Sequence, residues 1–276
     1  MSAQMVLTGL LIMADWIASN TAYFQLISVE DSGNPAVYPE RADIAWETLR
    51  LPKPCWNWKE VYLMYLTRIE LDVYRRSTMR ALTKPNYLHG AVEAAFPNER
   101  ERGRRLWRLD TLYGKQYLML VSEQKPDLQK MQVNYGTDTP WETREYTPLL
   151  NRIQTDGVWR FCLTANPTKS CKTEQDARGK VHAHISTQYQ EQWLMERAEK
   201  HGFSVQPDEF EVVSSQWYSF QKGEKRRRVS LLAVTYEGIL RVTDAEAFRK
   251  TLTEGIGRGK AYGMGMLTVM RASSTR

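Results

Sequence analysis

"YLTRIELDV" at Tyr65–Val73 and "NYLHGAVEAAF" at Asn86–Phe96 decide the fold, because two different periods follow each other closely. In the first, Ile69, Leu71 and Val73 alternate with Arg68, Glu70 and Asp72, the two-residue period of a half-buried strand. In the second, Leu88, Val92 and Ala95 recur at helical spacing until Pro97 ends the run. Another strand pattern, "QYLMLVSE" at Gln116–Glu123, comes next, so this part reads strand, helix, strand.

The same mixture returns downstream of a polar stretch from about Lys125 to Leu150. "GVWRFCLTANP" (157–167) opens a strand, and "TQYQEQWLMERAEKHGF" (187–203) reads as an amphipathic helix stopping at Gly202. "FEVVSSQWYSF" (210–220) and "RRRVSLLAVTYEGILRVT" (226–243) read as strands. Thr243 or Asp244 then caps a helix through Lys250, and "YGMGMLTVM" (262–270) supplies the last strand. The expected class is α+β, with tandem ferredoxin-like (RRM-like) domains at 64–150 and 151–276. Residues 1–60 differ: an apolar helical stretch to about Leu26, a polar loop, a short helix and a proline-marked linker "LPKPCWNWKE" predict a helical extension.

Composition narrows the class of function. A chain of 276 residues with 42% hydrophobic content can bury a real core, and 38 basic against 32 acidic residues leave a net +6 that fits a polyanionic partner. Cys55, Cys162 and Cys171 form no C-x-x-C pair and leave one thiol over, which argues against a disulfide framework or a zinc site and for a reducing cytoplasm. The apolar run "VLTGLLIMADW" has no basic leader, carries Asp15 and is too short to span a bilayer, so a soluble protein is expected.

"EGIGRGKAYGMGML" at Glu254–Leu267 packs five glycines and two cations into fourteen positions. The spacing G-x-G-x-x-G fails, ending on Lys260 from Gly255 and on Tyr262 from Gly257. The P-loop spacing fails too, because Gly259-Lys260 is followed by Ala261. The loop therefore points to a phosphate that belongs to neither NAD nor a mononucleotide, with Arg258 and Lys260 as its contacts and the glycines allowing close approach.

Two more cationic blocks accompany it. Arg100, Arg102, Arg104, Arg105 and Arg108 fall within nine residues around Trp107; Lys222, Lys225, Arg226, Arg227 and Arg228 fall between two strand patterns and so project from a hairpin. Each alone reads as a solvated face, but three such elements on one fold are how a protein tracks a phosphate backbone, here that of an RNA stem read by shape. Among four histidines, His182 and His184 lack the companions of a metal site, and His201 beside Gly202 suits a helix C-terminus. His89 borders the apolar stripe of its helix just before the basic run. RNA carries its own nucleophile, the 2′-OH, so no metal or other cofactor is needed where a base removes its proton, an acid protonates the leaving 5′-oxygen and a cation steadies the phosphorane; an imidazole can serve as acid or base.

These residues resemble the CasE family, the repeat-RNA endoribonuclease of the CRISPR type I-E Cascade complex. The resemblance runs from Met64 to the end through "MYLTRIEL", "LHGAVEAAFP", "LWRLD", "FCLTANPTK", a WL-containing helix ending in "HGF", "VTYEGILRVTD" and "GIGRGKAYGMGML". It implies metal-independent cleavage at the base of a CRISPR repeat hairpin, a cyclic phosphate product, and retention within Cascade. It places His89 at the catalytic histidine, while the tyrosine often found three residues earlier is replaced by Asn86, leaving Tyr87 as a neighbouring candidate. It also assigns Lys260, Arg160 and Lys169 to RNA contact. A noncatalytic hairpin-binding subunit is the alternative. "LLIMADWIASNTAYF" and "AWETLRLPKPC" resemble the C-terminal part of the HD nuclease domain of the CRISPR helicase-nuclease, but no histidine precedes His89, so the segment is expected to be nuclease-dead, or to precede a native start at Met64.

Overall fold

The protein is described by a computed structural model over residues 63–96, 103–171, 180–222 and 227–272. The expected helical extension over 1–60, with its linker, lies outside these residues.

Strand β1 (Tyr65–Leu71) leads into helices α1 (Arg76–Thr83) and α2 (Pro85–Glu93), then β2 (Arg105–Leu112), β3 (Lys115–Ser122), α3 (Gln129–Tyr135), β4 (Glu142–Glu145) and the short α4 (Thr147–Leu150). The sheet order β2-β3-β1-β4 is antiparallel throughout, which with helices between β1 and β2 and between β3 and β4 is a ferredoxin-like half. The second half runs β5 (Val158–Ala165), a hairpin β6 (Thr168–Cys171) and β7 (Lys180–Ala183), α5 (Thr187–Ala198), β8 (Phe203–Ser204), β9 (Phe210–Lys222), β10 (Arg227–Val242), α6 (Ala245–Glu254) and β11 (Leu267–Arg271). Its order, β11-β5-β10 with β8 and β9 both on the far edge of β10, repeats the arrangement of the first half, and the β6–β7 hairpin forms a separate two-stranded sheet.

Of the basic segment expected to be surface, Arg105 and Arg108 lie in strand β2, and both faces of that strand are covered. Trp107 joins Leu88, Val92, Ile69 and Leu118 in the core beneath the helices. Leu106 faces the other way and joins Phe161, Leu163, Trp193 and Met266 of the second half. The polar stretch before Leu150 likewise holds α3 and β4, the latter paired to β1 by main-chain register from Tyr65↔Glu145 to Arg68↔Glu142. Asp244 caps α6, its Oδ1 accepting from the backbone N–H of Glu246 and Ala247.

Arg108 sits where the two sheets meet and is 2% exposed. Its guanidinium holds Asp110 in a bidentate pair, donates to the carbonyls of Cys162 and Met266, and donates to Thr268 Oγ1 at 2.8 Å. Four partners from β2, β5 and the β11 region account for the whole fork, so this arginine joins the halves and is not available to RNA. Burial opposes its charge, yet the Asp110 hydrogen bonds keep its pKa above the usual arginine value.

Candidate nucleic-acid interface

His89 lies on α2 between two residues of the core, Leu88 and Val92, which fixes the helix face and leaves the imidazole at its rim. The side chain is 36% exposed, and Nδ1 stands 3.9 Å from Glu93 Oε1 one turn on. A Cβ added at Gly90 would meet nothing, so the surface next to the imidazole is open. From the far end of the chain the 3₁₀ turn Lys260–Tyr262 brings the Tyr262 ring edge-on to His89 at 6.0 Å between centroids. Tyr262 in turn packs on Phe220 of β9 at 4.9 Å. Helix, glycine loop and hairpin strand therefore converge on one imidazole.

Tyr87 does not share that place. Two residues along a helix is about 200° of rotation, so Tyr87 and His89 project from opposite sides of α2. The Tyr87 ring packs against the helix-side core with the Arg80 guanidinium 4.8 Å above it. Its candidacy as a partner of His89 is corrected on that ground. Asn86, one turn before His89, carries a buried side-chain oxygen without a hydrogen-bond partner.

The cations sort into three groups. Arg104 is exposed, and Lys260 is half-buried close enough to feel it: burial first and then Arg104 push the lysine below its ordinary pKa, with Glu254 opposing. Arg258 is exposed on the same loop, and Arg228 is exposed on the hairpin, its Nε donating to Ser219 Oγ at 3.1 Å. Lys169 is exposed on β6 with Nζ 6.0 Å from the Tyr189 ring. Arg160 is exposed on β5, but six residues separate it from Asn166, which bridges Arg258, so it stands about 20 Å down the strand from the loop.

Arg105 belongs with Arg108 among the committed arginines. It pairs with Glu93 and covers the Phe96 ring at 4.2 Å, so it props α2 next to His89. Arg100, Arg102, Lys225 and Arg226, and the side chain of Arg227, lie outside the described residues; the hairpin that would carry the last three closes on the pair Lys222↔Arg227.

The glycines of the loop answer to the protein. Gly263 has φ 78°, and a Cβ there would come within 2.6 Å of the Trp107 ring. At Gly257 a Cβ would press on Trp193 at 3.2 Å. The close approach they permit is to two buried indoles. Met264 and Met266 are buried, while Arg258, Lys260 and Tyr262 face outward at least in part. Tyr262 was visible in the sequence but carried no signal linking it to His89.

His201 ends the helix as expected, in surroundings that disfavour the imidazolium. Burial, then Lys260, Lys200 and Arg197, lower its pKa. Thr251 Oγ1 donates to the His201 carbonyl and lies 2.9 Å from Nδ1, so Nδ1 carries the proton and donates to that oxygen. Among the described residues no three His, Cys, Asp or Glu side chains group as metal ligands, and no helix is long and apolar enough to cross a membrane.

Residues 64–271 match the family described as CRISPR associated protein, and residues 1–24 match the Cas3 HD domain. The CRISPR-associated endoribonuclease Cse3 of Thermus thermophilus is 29% identical over 218 residues, covering 75% of this chain and 99% of that protein. A structure of CRISPR endoribonuclease Cse3 bound to 19 nt RNA superposes with a TM-score of 0.62 at 28% identity, over 75% of this chain and 99% of the other. Thermus thermophilus Cse3 bound to an RNA representing a pre-cleavage complex gives 0.63 at 27% identity, with the same coverage.

Proposed function

Because this chain belongs to the CRISPR associated protein family, we propose that it is an endoribonuclease that cuts CRISPR repeat hairpins in precursor RNA and keeps the product within Cascade. The observation that carries this reading is the half-exposed imidazole of His89, set on an open surface where α2, the glycine loop and the β9 end converge. The extent of the match to Cse3, nearly the whole of that protein, supports the same activity.

In this mechanism the RNA 2′-oxygen forms a bond to the adjacent phosphorus and loses its proton to a base. The bond from phosphorus to the 5′-oxygen breaks, and that oxygen takes a proton from an acid. A 2′,3′-cyclic phosphate and a 5′-hydroxyl result. His89 serves as one of the two proton carriers, a role typically worth about 10² to 10⁴ in rate. Lys260 and Arg104 stand nearby to offset charge on the phosphorane, Arg228 and Lys169 hold the stem, and Arg258 meets the strand beside it. Arg160 is retained only as a contact remote from the cut. The reading places the protein in the cytoplasm, divides it at about residue 150 into two RNA-facing domains, and makes residues 1–60 a nuclease-dead HD remnant.

The test is incubation of the purified chain with its repeat hairpin in EDTA. Site-specific scission that His89→Ala lowers by about 10² or more, with hairpin affinity retained, supports the enzyme. Tight binding without product from the wild type would instead make it a noncatalytic RNA-holding subunit.

A further inference from the structure

Beyond the loop's contact with His89, its other end closes a second concavity. The β6–β7 hairpin, α5 and the segment Gly257–Arg258 enclose a cavity of about 140 Å³. Asn166, Thr168, Ser170, Trp193, Arg197 and Arg258 line it. We propose that this cavity receives one unpaired nucleotide of the RNA strand that passes His89, a subsite for the single-stranded flank and distinct from the surface that holds the stem. The proposal rests on the reading of the protein as an RNA endonuclease.

Two side chains in the wall are buried and incomplete. Asn166 is 5% exposed and its Oδ1 has no partner; Trp193 is 2% exposed and its Nε1 has none. Buried polar atoms of this kind are nearly always satisfied, and both belong to residues that line one cavity, which suits an occupant that brings both a donor and an acceptor. The Arg197 guanidinium lies 4.5 Å over the Trp193 ring and is half-desolvated, and burial lowers its pKa. Among the described residues no carboxylate makes an ion pair with Arg197 or Arg258.

Those features select the chemistry. Two guanidinium groups and two hydroxyls suit a phosphodiester, while an amide oxygen and an indole N–H suit the edge of a base. A free phosphate would leave the amide oxygen unpaired, and a base pair is too wide for a cavity of this size. Sequence-specific contacts to RNA fall mainly on unpaired, splayed bases, which is the form such a cavity admits. Its location suits a residue close to the cut: Arg258 bridges Asn166, and Tyr262, four residues on, meets His89, a chain span of at most about 14 Å. One strand can therefore lie across both.

The experiment compares two RNAs, the repeat stem–loop with its unpaired flanks and the same stem–loop trimmed to the paired region. Both carry a 2′-deoxy residue at the cut so that binding is read without turnover. Asn166→Leu removes the amide, Arg197→Met keeps the alkyl stem, and Val181→Trp fills the cavity from a position that is 46% exposed and so spares the core. Each is expected to weaken binding of the flanked RNA by about tenfold, the effect of losing one good base contact, while the trimmed RNA binds as to wild type. Equal affinity of Val181→Trp and wild type for the flanked RNA overturns the pocket, as does an equal loss on both RNAs by a variant whose thermal midpoint matches wild type. A wild-type protein that holds the trimmed stem–loop but gains nothing from the flanks also overturns it and leaves the endonuclease reading standing; one that holds neither RNA overturns that reading as well.

Discussion

The imidazole of His89 and the phenol ring of Tyr262 meet edge to face, with centroids 6.0 Å apart and planes inclined at 63°. The contact joins a helix of the first half to a turn near the end of the second, so the geometry of the imidazole depends on how the two halves pack. An edge contact restricts rotation of His89, and a misplacement of about 1 Å at such a group can cost about 10² in rate. Tyr262→Ala is therefore expected to lower single-turnover cleavage by more than about tenfold with hairpin affinity retained. Tyr262→Phe keeps the ring and separates the two ways the residue can act: near wild-type cleavage assigns it to positioning, whereas a loss as large as that of Tyr262→Ala assigns the work to its hydroxyl.

Arg108 gives the next prediction, about stability. Removing one member of a buried ion pair leaves the other charge unpaired, at a cost of about 3–5 kcal/mol. Arg108→Met strands the Asp110 carboxylate and the carbonyls of Cys162 and Met266 between the sheets. Urea unfolding should show a loss of that order, and Asp110→Leu added to Arg108→Met should recover part of it. Affinity for RNA per folded molecule should not change, an outcome opposite to that expected had Arg108 been a phosphate contact.

The same arginine shows why part of the fold was hidden. β1 and α2 were legible because one face of each is wet, so Ile69 and Leu71, or Leu88 and Val92, stand out at period two or at helical spacing. "RRLWRLDTL" has no such contrast: Trp107 points to the helices, Leu106 and Arg108 to the second sheet, and a buried arginine is read as surface when its partners are distant in sequence. β4 and the β6–β7 hairpin are short and polar, held by main-chain pairing that leaves no pattern in the side chains. For the site, His89 and the loop cations could be read from residue type and resemblance, but the partnership with Tyr262, and the walls around Asn166, exist only once the halves are packed.

His201 predicts a dependence of stability on pH. Its folded pKa is depressed by burial and by Lys260, Lys200 and Arg197, so below the unfolded value of about 6.5 the unfolded chain binds more protons than the folded one. Stability must then fall as pH drops through that value and be flat above it. His184, depressed by burial and Lys169, acts in the same direction. Urea midpoints measured from pH 5 to pH 8 should decline on the acid side, and His201→Gln, which keeps a donor for Thr251, should shrink the decline. An unchanged acid slope in that variant would remove His201 as its source.

Lys260 carries the last prediction, because its charge is held at a cost. Burial and Arg104 oppose the ammonium in the free protein, with only Glu254 favouring it. A phosphate brought to the loop would reverse that balance and favour the ammonium, so binding should release fewer counterions when the lysine is absent. Each phosphate contact contributes about 0.9 to the slope of log affinity against log salt on a duplex and about 0.7 on a single strand. Lys260→Ala should weaken hairpin binding at low salt and make that slope shallower by close to one such increment. Arg104→Ala should lower affinity through its own phosphate contact. Parallel salt plots for Lys260→Ala and wild type would take the lysine out of the interface and leave it as a packing residue of the loop.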